Sequence, residues 1–338
     1  MSLSRPATFP LLKLPFLCIE PVIKSWDIFD IIFFALTSKR TRQIVKHLKI
    51  PLNGIKIIVR EENSIELDRR RWSITRTICD SFFEKYANSR TDILVLRNNG
   101  ISLYTKRTND GLMSYTYGSE VNALKLAMEF LNEVFKCSVE TVNINGDNFP
   151  ESRDIGVEST VNLFFDNTYS YAQSQQLSSL LENLEVTGTC DFWMRNTEMD
   201  FYVDPKLFKC RKLVFGARSA DWVTREILLQ FEVAQLKFYD CPFSVEDILS
   251  FVTNWFHSDN KKLEYLFIYT QSTQFSLEKF QTEDLNPLPF SGKTRIPPIE
   301  TYTMFDFSVG LEIVRNDGSV ATIYFNSGVF LFYVWHDQ

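Results

Sequence analysis

The chain has 338 residues, of which 45% are hydrophobic and 23% charged, and its net charge at pH 7 is −6. These proportions exclude a disordered chain, and the length predicts about two domains, or one small module and one large domain. The acidic balance argues against a protein that binds nucleic acid through a general basic surface. Its 30 phenylalanines predict an extensive packed interior.

The first distinctive stretch, residues 9–50, is densely apolar and then turns abruptly basic. Asp27 and Ser38 are suitable N-caps for the second and third of three short helices. The helices are predicted over residues 19–25, 28–36 and 39–48. About 40 residues are too few to bury so much apolar surface alone, so this three-helix module requires either the downstream chain or a partner.

The pattern changes to strands after this module. Strands are predicted over residues 55–60, 64–67, 93–96 and 101–104 from alternating apolar residues. Asn98-Asn99-Gly100 is typical of the turn between the last two, which then form a hairpin. Residues 72–88 are predicted to be helical.

From Ser119 the chain alternates between helical and strand patterns. Helices are predicted over residues 119–135, 177–184, 221–230 and 244–256. Strands are predicted over residues 139–144, from 184, and over 212–215, 234–239 and 263–269. Leu213, Leu236 and Leu266 mark strand starts that lie about 23 and 30 residues apart, the period of a leucine-rich-repeat-like solenoid. An ordinary layered α/β domain is the alternative.

The C-terminal region is predicted to be β-structure after an irregular, proline-rich connection over residues 282–298. Asn316-Asp317-Gly318 is a strong hairpin turn between strands at 310–315 and 319–325, and residues 329–335 continue the apolar pattern. Such a hairpin would cap the open end of a repeat array. The predicted fold class is therefore α/β: a three-helix module followed by a repeated strand–helix domain that ends in a β-hairpin.

Motifs for catalysis or for metal, phosphate or cofactor binding are missing from the sequence. The three histidines have no partner at metal-ligand spacing, and none of the six cysteines lies within four residues of another. The cysteines suit buried free thiols in a reducing compartment. We expect no cofactor, no metal and no catalytic site; an enzyme would require a deep pocket with two or more convergent titratable groups.

The expected location is intracellular, cytoplasmic and/or nuclear. Lys13 and the nearby prolines make the N-terminus a poor signal peptide, and the most apolar run, residues 28–36, is too short to span a bilayer. We expect neither membrane nor nucleic acid as a partner.

Two stretches resemble parts of a known family. FPLLKLPFLCIEPVIKSWDIFDIIFFALTSKRTRQIVK (residues 9–46) resembles the F-box, a three-helix module that docks on the Skp adaptor of cullin–RING ubiquitin ligases. CPFSVEDILSFVTNWFHSDNKKLEYLFI (Cys241–Ile268) and LEIVRNDGSVATIYF…FYVWH (residues 311–336) resemble the F-box-associated region, type 2, of nematode F-box proteins.

The resemblance implies a non-catalytic substrate-recognition subunit of a Skp–cullin–F-box ubiquitin ligase. Residues 9–50 would bind the adaptor, and residues 51–338 would recruit a protein for ubiquitination, with the type 2 signature at about 205–275 and a C-terminal hairpin at 307–336. The implied adaptor contact consists of Leu11, Leu14, Pro15, Val22, Ile23, Trp26, Ile31, Ile32 and Leu36. Neither the substrate nor its binding face follows from the sequence.

Two alternatives remain open at this point. The same apolar side chains could pack against the downstream domain instead of an adaptor. The chain could also be a ubiquitin-independent, protein-binding solenoid whose F-box has drifted.

Overall fold

A computed structural model of the protein describes residues 11–77, 93–145, 155–171, 173–195, 200–270, 276–290 and 307–336. The chain divides into two compact units. The first comprises residues 1–140 and 154–157, and the second residues 141–153 and 158–338. The three N-terminal helices thus share a compact unit with the strands that follow them. The functional boundary predicted at residue 50 stays a prediction.

The N-terminal helices of the first unit are α1 (Phe16–Lys24), α2 (Ile28–Thr37) and α3 (Lys39–His47). Asp27 caps α2, its Oδ1 accepting a hydrogen bond from the Phe29 amide at 2.9 Å. Ser38 caps α3 through a capping box with Thr41. The three predicted helices and both caps are confirmed, although α1 begins three residues earlier than predicted, directly after Pro15.

The strands of the first unit are β1 (Pro51–Val59), β2 (Asn63–Leu67), β3 (Arg70–Arg76), β4 (Leu94–Asn98), β5 (Ile101–Thr108) and β6 (Gly111–Thr116). Their order in the sheet is β1-β2-β3-β6-β5-β4, and β3 runs parallel to β6. Helix α4 (Glu120–Val134) packs on this sheet. The predicted hairpin at Asn98-Asn99-Gly100 is confirmed, with Asn98 opposite Ile101.

The helix predicted over residues 72–88 is wrong at its start. Trp72 and Ile74 are fully buried and alternate with partly exposed Ser73 and Thr75, which is the period of a strand with one buried face. Burial of Trp72 and Ile74 on one face favours a strand here, although the local pattern favours a helix. Residues 78–88 lie outside the described residues.

The second unit contains a ladder of parallel strands that neighbour each other in chain order. They are β7 (Lys136–Asn145), which begins in the first unit, β8 (Ser159–Tyr171), β9 (Glu185–Arg195), β10 (Lys212–Phe215), β11 (Gln235–Tyr239) and β12 (Tyr265–Tyr269). Leu213, Leu236 and Leu266 lie side by side in register and are fully buried. The predicted periodicity therefore corresponds to aligned strands.

Three helices connect strands of this ladder: α5 (Ser174–Asn183), α6 (Arg225–Leu228) and α7 (Val245–His257). The helix predicted over residues 221–230 is reduced to the four residues of α6. Helix α7 begins with the predicted capping box between Ser244 and Asp247. Trp255 of α7 packs edge-on against Phe332, with ring centroids 5.1 Å apart.

The C-terminal strands complete the second unit. They are β13 (Leu288–Pro289), β14 (Leu311–Val314), β15 (Val320–Asn326) and β16 (Val329–Trp335). The predicted hairpin at Asn316-Asp317-Gly318 is confirmed, with Val314 opposite Val320. Strand β16 pairs antiparallel with both β15 and β12. Of the predicted irregular connection, residues 291–298 lie outside the described residues.

The core of the second unit contains a ladder of stacked phenylalanines from neighbouring strands. Phe192 and Phe215 have ring centroids 5.9 Å apart, and Phe215 and Phe238 5.3 Å apart with nearly parallel planes. All three side chains are fully buried. The predicted class, a mixed α/β protein with an extensive aromatic interior, is confirmed. No described helix is long and apolar enough to cross a membrane.

Candidate functional site

Helix α1 presents apolar side chains to solvent. Phe16 is 41% exposed, Leu17 81% and Val22 37%, and Pro21 is also exposed. These four residues define the outer face of α1. Ile19 and Ile23 are buried. Because successive residues of a helix are rotated by about 100°, Leu17 and Pro21 lie on the opposite side of α1 from these two isoleucines. Phe16, seven residues before Ile23, lies on the same side as Ile23 but is exposed at the start of the helix. Exposed large apolar groups clustered on one helix are typical of a partner-binding surface.

The structure separates the nine predicted adaptor-contact residues into two groups. Five are exposed or half-buried: Leu11, Leu14, Pro15, Val22 and Trp26. The other four, Ile23, Ile31, Ile32 and Leu36, are at most 8% exposed and pack inside the first unit. The nine side chains therefore do not form one accessible surface in this conformation. These contacts do not test adaptor binding, which stays a prediction.

Phe16 and Leu17 were missed by the sequence reasoning although they are the most exposed apolar residues of α1. The available signal was the distribution of apolar residues around the whole circumference of α1. A helix that is apolar on every side, packed in a small module, must leave one side uncovered. Which side that is depends on the neighbours of the helix, so it required the structure.

The N-terminus of α2 is tied to the strands of its own unit by ion pairs. Asp27 Oδ2 lies 2.7 Å from Arg70 Nη1, and Asp27 Oδ1 lies 3.4 Å from Arg107 Nη2. Arg107 also donates from Nε to Asp30 Oδ1 and from Nη1 to the Gly111 carbonyl, both at 2.7 Å. These contacts join the start of α2 to β3 and β5, and α2 packs on β4 and β5.

Two further contacts fix α1 and the turn before it. The Arg40 guanidinium of α3 donates to the Leu12 carbonyl at 2.9 Å, and Trp26 packs edge-on against Phe34 with centroids 5.3 Å apart. These contacts hold the segments on either side of α1 in place, and with them the outer face of α1. Such preorganisation reduces the entropy that binding must overcome.

A groove of about 510 Å³ lies beside the junction of α1 and α2. Trp26, Ile28 and Ile31 form part of its apolar wall, and Lys24 and Asp68 contribute charged groups. Its third charged residue, Asp27, is already engaged by Arg70 and Arg107. The groove is thus a partly apolar recess on the same module as the outer face of α1.

The described residues contain no group of three or more His, Cys, Asp or Glu side chains that could hold a metal ion. Each of the three histidines has a separate contact. His47 contacts the Gln43 carbonyl, His257 pairs with Asp284, and His336 contacts the Leu263 carbonyl.

The five cysteines in the described part of the chain are free thiols. Burial raises the pKa of Cys241 to about 12 and that of Cys137 to about 11. A raised pKa suppresses the reactive thiolate, so these two groups are chemically inert near neutral pH. Cys18, in contrast to the predicted buried state, is exposed on α1.

A segment of the second unit matches a known protein family. Residues 206–268, which run from just before β10 to β12, match the model of the F-box-associated family. We call them the F-box-associated region, after the family that they resemble. The match contains Cys241–Ile268, one of the two stretches that resemble the F-box-associated region, and the resemblance of that stretch is confirmed.

Two relatives from Caenorhabditis elegans align with most of the chain. Uncharacterized protein F59B2.8 is 24% identical over 342 aligned residues, which cover 93% of this chain and 74% of the relative. Uncharacterized protein F59B2.9 is 24% identical over 347 aligned residues, covering 93% of this chain and 75% of the relative. Their source agrees with a nematode-type F-box-associated region. No solved structure matches the chain.

Buried polar contacts hold the loop that follows β10 in the F-box-associated region. The Ser219 hydroxyl donates to the Met194 carbonyl and accepts from the Met194 amide, both at 2.9 Å. Trp222 Nε1 donates to the Ser219 carbonyl at 3.1 Å. Because these groups are buried and satisfied, they fix the loop between β10 and α6 against the end of β9.

Proposed function

We propose that the chain is a non-catalytic substrate-recognition subunit of a Skp–cullin–F-box ubiquitin ligase. The observation that carries the proposal is the F-box-associated region at residues 206–268, downstream of a three-helix module that resembles the F-box. Proteins with such regions generally recruit substrates for ubiquitin transfer. In this role the chain has no cofactor, and it acts inside the cell, in the cytoplasm, the nucleus or both.

In the proposed arrangement, the Skp-type adaptor binds the outer face of α1. Phe16, Leu17 and Val22 provide the exposed apolar contact, and the half-buried Leu11, Leu14 and Trp26 extend it. Removing apolar surface from water stabilises a complex by roughly 25 cal/mol per Å² before the cost of association is subtracted. The buried Ile23, Ile31, Ile32 and Leu36 support this surface from inside the module.

For the second unit we propose a leucine-rich-repeat-like architecture. Strands β7 to β12 are parallel and neighbour each other in chain order, as expected when each repeat contacts only the next. The antiparallel pairing of β16 with β12 covers the last parallel strand, which is the role of a terminal cap. A rigid strand ladder of this kind supplies a surface for a protein substrate.

One observation favours a second candidate function, a ubiquitin-independent binding protein with a drifted F-box. Four of the nine predicted contact residues are buried in the chain's own first unit. If adaptor binding required them, α2 would have to leave the strands to which Asp27 and Asp30 attach it. A drifted F-box that serves only as part of the fold would show this burial.

A pull-down with a purified Skp-type adaptor separates the two functions. We expect the full-length chain to recover the adaptor, and Phe16→Ala combined with Leu17→Ala to reduce recovery by about tenfold or more, since a few central apolar residues dominate such interfaces. Val314→Ala is the matched control, because Val314 is 50% exposed in the second unit. Equal recovery by the double variant and the native chain, or recovery by neither, would contradict the proposal.

A further inference from the structure

One face of the parallel strands in the second unit carries a line of exposed aromatic side chains. Strand register places Trp193, Gly216, Tyr239 and Tyr269 across four adjacent strands. Phe192 lies opposite Phe215, so Trp193 and Gly216 follow as neighbours, and Tyr239 lies opposite Tyr269. Because side chains alternate along a strand, this face is opposite to the one that holds the phenylalanine ladder. Trp193, Tyr239 and Tyr269 are called the aromatic row.

The glycine in this line determines how the indole lies. A Cβ at Gly216 would be 2.3 Å from Trp193 Cδ2, so the Trp193 ring rests directly on the backbone of β10. From there it reaches Tyr239, with ring centroids 5.6 Å apart and planes inclined by 30°. Trp193 is 38% exposed and Tyr269 43%. The result is a broad aromatic surface with its faces turned partly to solvent.

The neighbouring position on the same face already holds a cation over aromatic rings. Lys237, two residues before Tyr239, is only 8% exposed. Its Nζ lies 5.5 Å from the ring centroid of Tyr265 and 5.8 Å from that of Phe267. Aromatic rings attract cations through their negative faces, so the chain itself uses this strand surface for an ammonium group.

Two aspartates neighbour the aromatic row along the strands. Asp191 lies on the same face of β9 as Trp193, and Asp240 directly follows Tyr239. Burial raises the pKa of Tyr239, and the negative charge of Asp191 raises it further, so that charge acts on the row itself. Asp221 interacts electrostatically with Asp240 and pairs with Arg218 at 3.7 Å. The aromatic row therefore has a negative charge, that of Asp191, on its own strand face.

We propose that the aromatic row binds an extended basic segment of a partner protein. An Arg or Lys side chain of that segment lies over Trp193 and Tyr239, on the strand face that also carries the negative charge of Asp191. Four strands spaced by about 4.8 Å give a line of roughly 15 Å, which matches several residues of extended chain. The net charge of −6 favours the approach of a basic partner.

The use of this segment to select a ubiquitination substrate rests on the proposed function, whereas the binding itself does not. The adaptor pull-down therefore serves as an independent readout. If Trp193→Ala loses the basic segment and still recovers the adaptor, both claims stand. If the native chain binds the segment without recovering any adaptor, only the proposed function falls.

The test is fluorescence anisotropy of the full-length chain with a fluorescein-labelled Gly-Ser peptide that carries Arg at alternate positions. A matched peptide with Gln at those positions is the control ligand. We expect the Arg peptide to bind at least about tenfold more tightly than the Gln peptide, and Trp193→Ala to weaken it by about tenfold. Tyr269→Ala provides a second variant at the other end of the row.

Tyr202→Ala is the control variant, since Tyr202 is 50% exposed but packs against Trp222 outside the row. We expect it to bind the Arg peptide like the native chain. Equal binding of the Arg and Gln peptides, or no binding at about 1 mM protein, would overturn the proposal. So would Arg-peptide binding that survives both row variants and disappears only with salt, because that pattern indicates general charge attraction.

Discussion

The outer face of α1 and the aromatic row are both exposed apolar surfaces, but they differ in construction. Phe16 and Leu17 project from a helix whose own two charged residues, Glu20 and Lys24, pair with each other at 2.6 Å. The rings of the aromatic row lie along a strand ladder, on the face that carries the negative charge of Asp191. The first surface therefore suits an apolar partner surface, and the second suits a cationic side chain. We therefore expect the two surfaces to select partners of different chemistry.

The largest effect is expected from a core substitution in the second unit, which should impair the aromatic row but not the outer face of α1. Phe215→Ala removes the middle ring of the phenylalanine ladder and should destabilise that unit by about 3–5 kcal/mol. Urea unfolding followed by tryptophan fluorescence measures this loss. We expect Arg-peptide binding to fall with it while the adaptor pull-down stays close to native. Loss of adaptor recovery in parallel would break the distinction between the surfaces.

A smaller effect is expected where α2 is attached to its strands. Asp27→Ala removes both the helix cap and the partner of Arg70 and Arg107, and should cost about 1–2 kcal/mol of unfolding free energy. Asp30→Ala is the matched control: it removes only an exposed partner of Arg107 and should cost less than about 1 kcal/mol.

Thermal unfolding of both variants compares the two costs, and the adaptor pull-down shows whether the outer face of α1 depends on this attachment. We expect weaker recovery for Asp27→Ala than for Asp30→Ala. The same loss of stability in both variants would show that the cap contributes nothing.

The smallest effect is a pH dependence at the C-terminal hairpin. Hydrogen bonds from Arg315, at 2.7 and 2.9 Å, hold the pKa of Asp317 well below its usual range. A pKa lowered by folding contributes stability above the usual aspartate pKa, and this stability is lost as pH falls toward the lowered value.

Asp317→Asn should therefore be less stable than the native chain at neutral pH, with a difference that shrinks below about pH 4. Urea unfolding at several pH values measures it. Because Asp317 lies in the turn between β14 and β15, outside both surfaces, adaptor and Arg-peptide binding should remain native. A difference that is constant down to strongly acidic pH would contradict the assigned pKa.

Local patterns in the sequence predicted much of the fold. Asp27, Ser38 and Ser244 were recognised as helix caps because a cap depends on residues only two or three positions away. The turn at Asn316-Asp317-Gly318 was recognised for the same reason. The strand at Trp72 was missed, since its burial depends on neighbours that the local pattern does not contain.

The candidate surfaces were less predictable than the elements that carry them. The sequence shows that α1 is apolar but not which side of it is exposed, so the predicted contact includes the buried Ile23 and omits the exposed Leu17. The aromatic row joins Trp193, Tyr239 and Tyr269, which are neighbours only through strand register. The role of Gly216 depends on the Trp193 indole that rests on it, and the local sequence does not contain this contact.

The most direct test of the proposed receptor role is a calorimetric titration of the native chain, Phe16→Ala/Leu17→Ala and Trp193→Ala with a purified Skp-type adaptor. We predict binding by the native chain and by Trp193→Ala with equal affinity, and a loss of about tenfold or more for the α1 variant. No heat of binding with the native chain, or equal affinity for all three proteins, would contradict adaptor docking through α1.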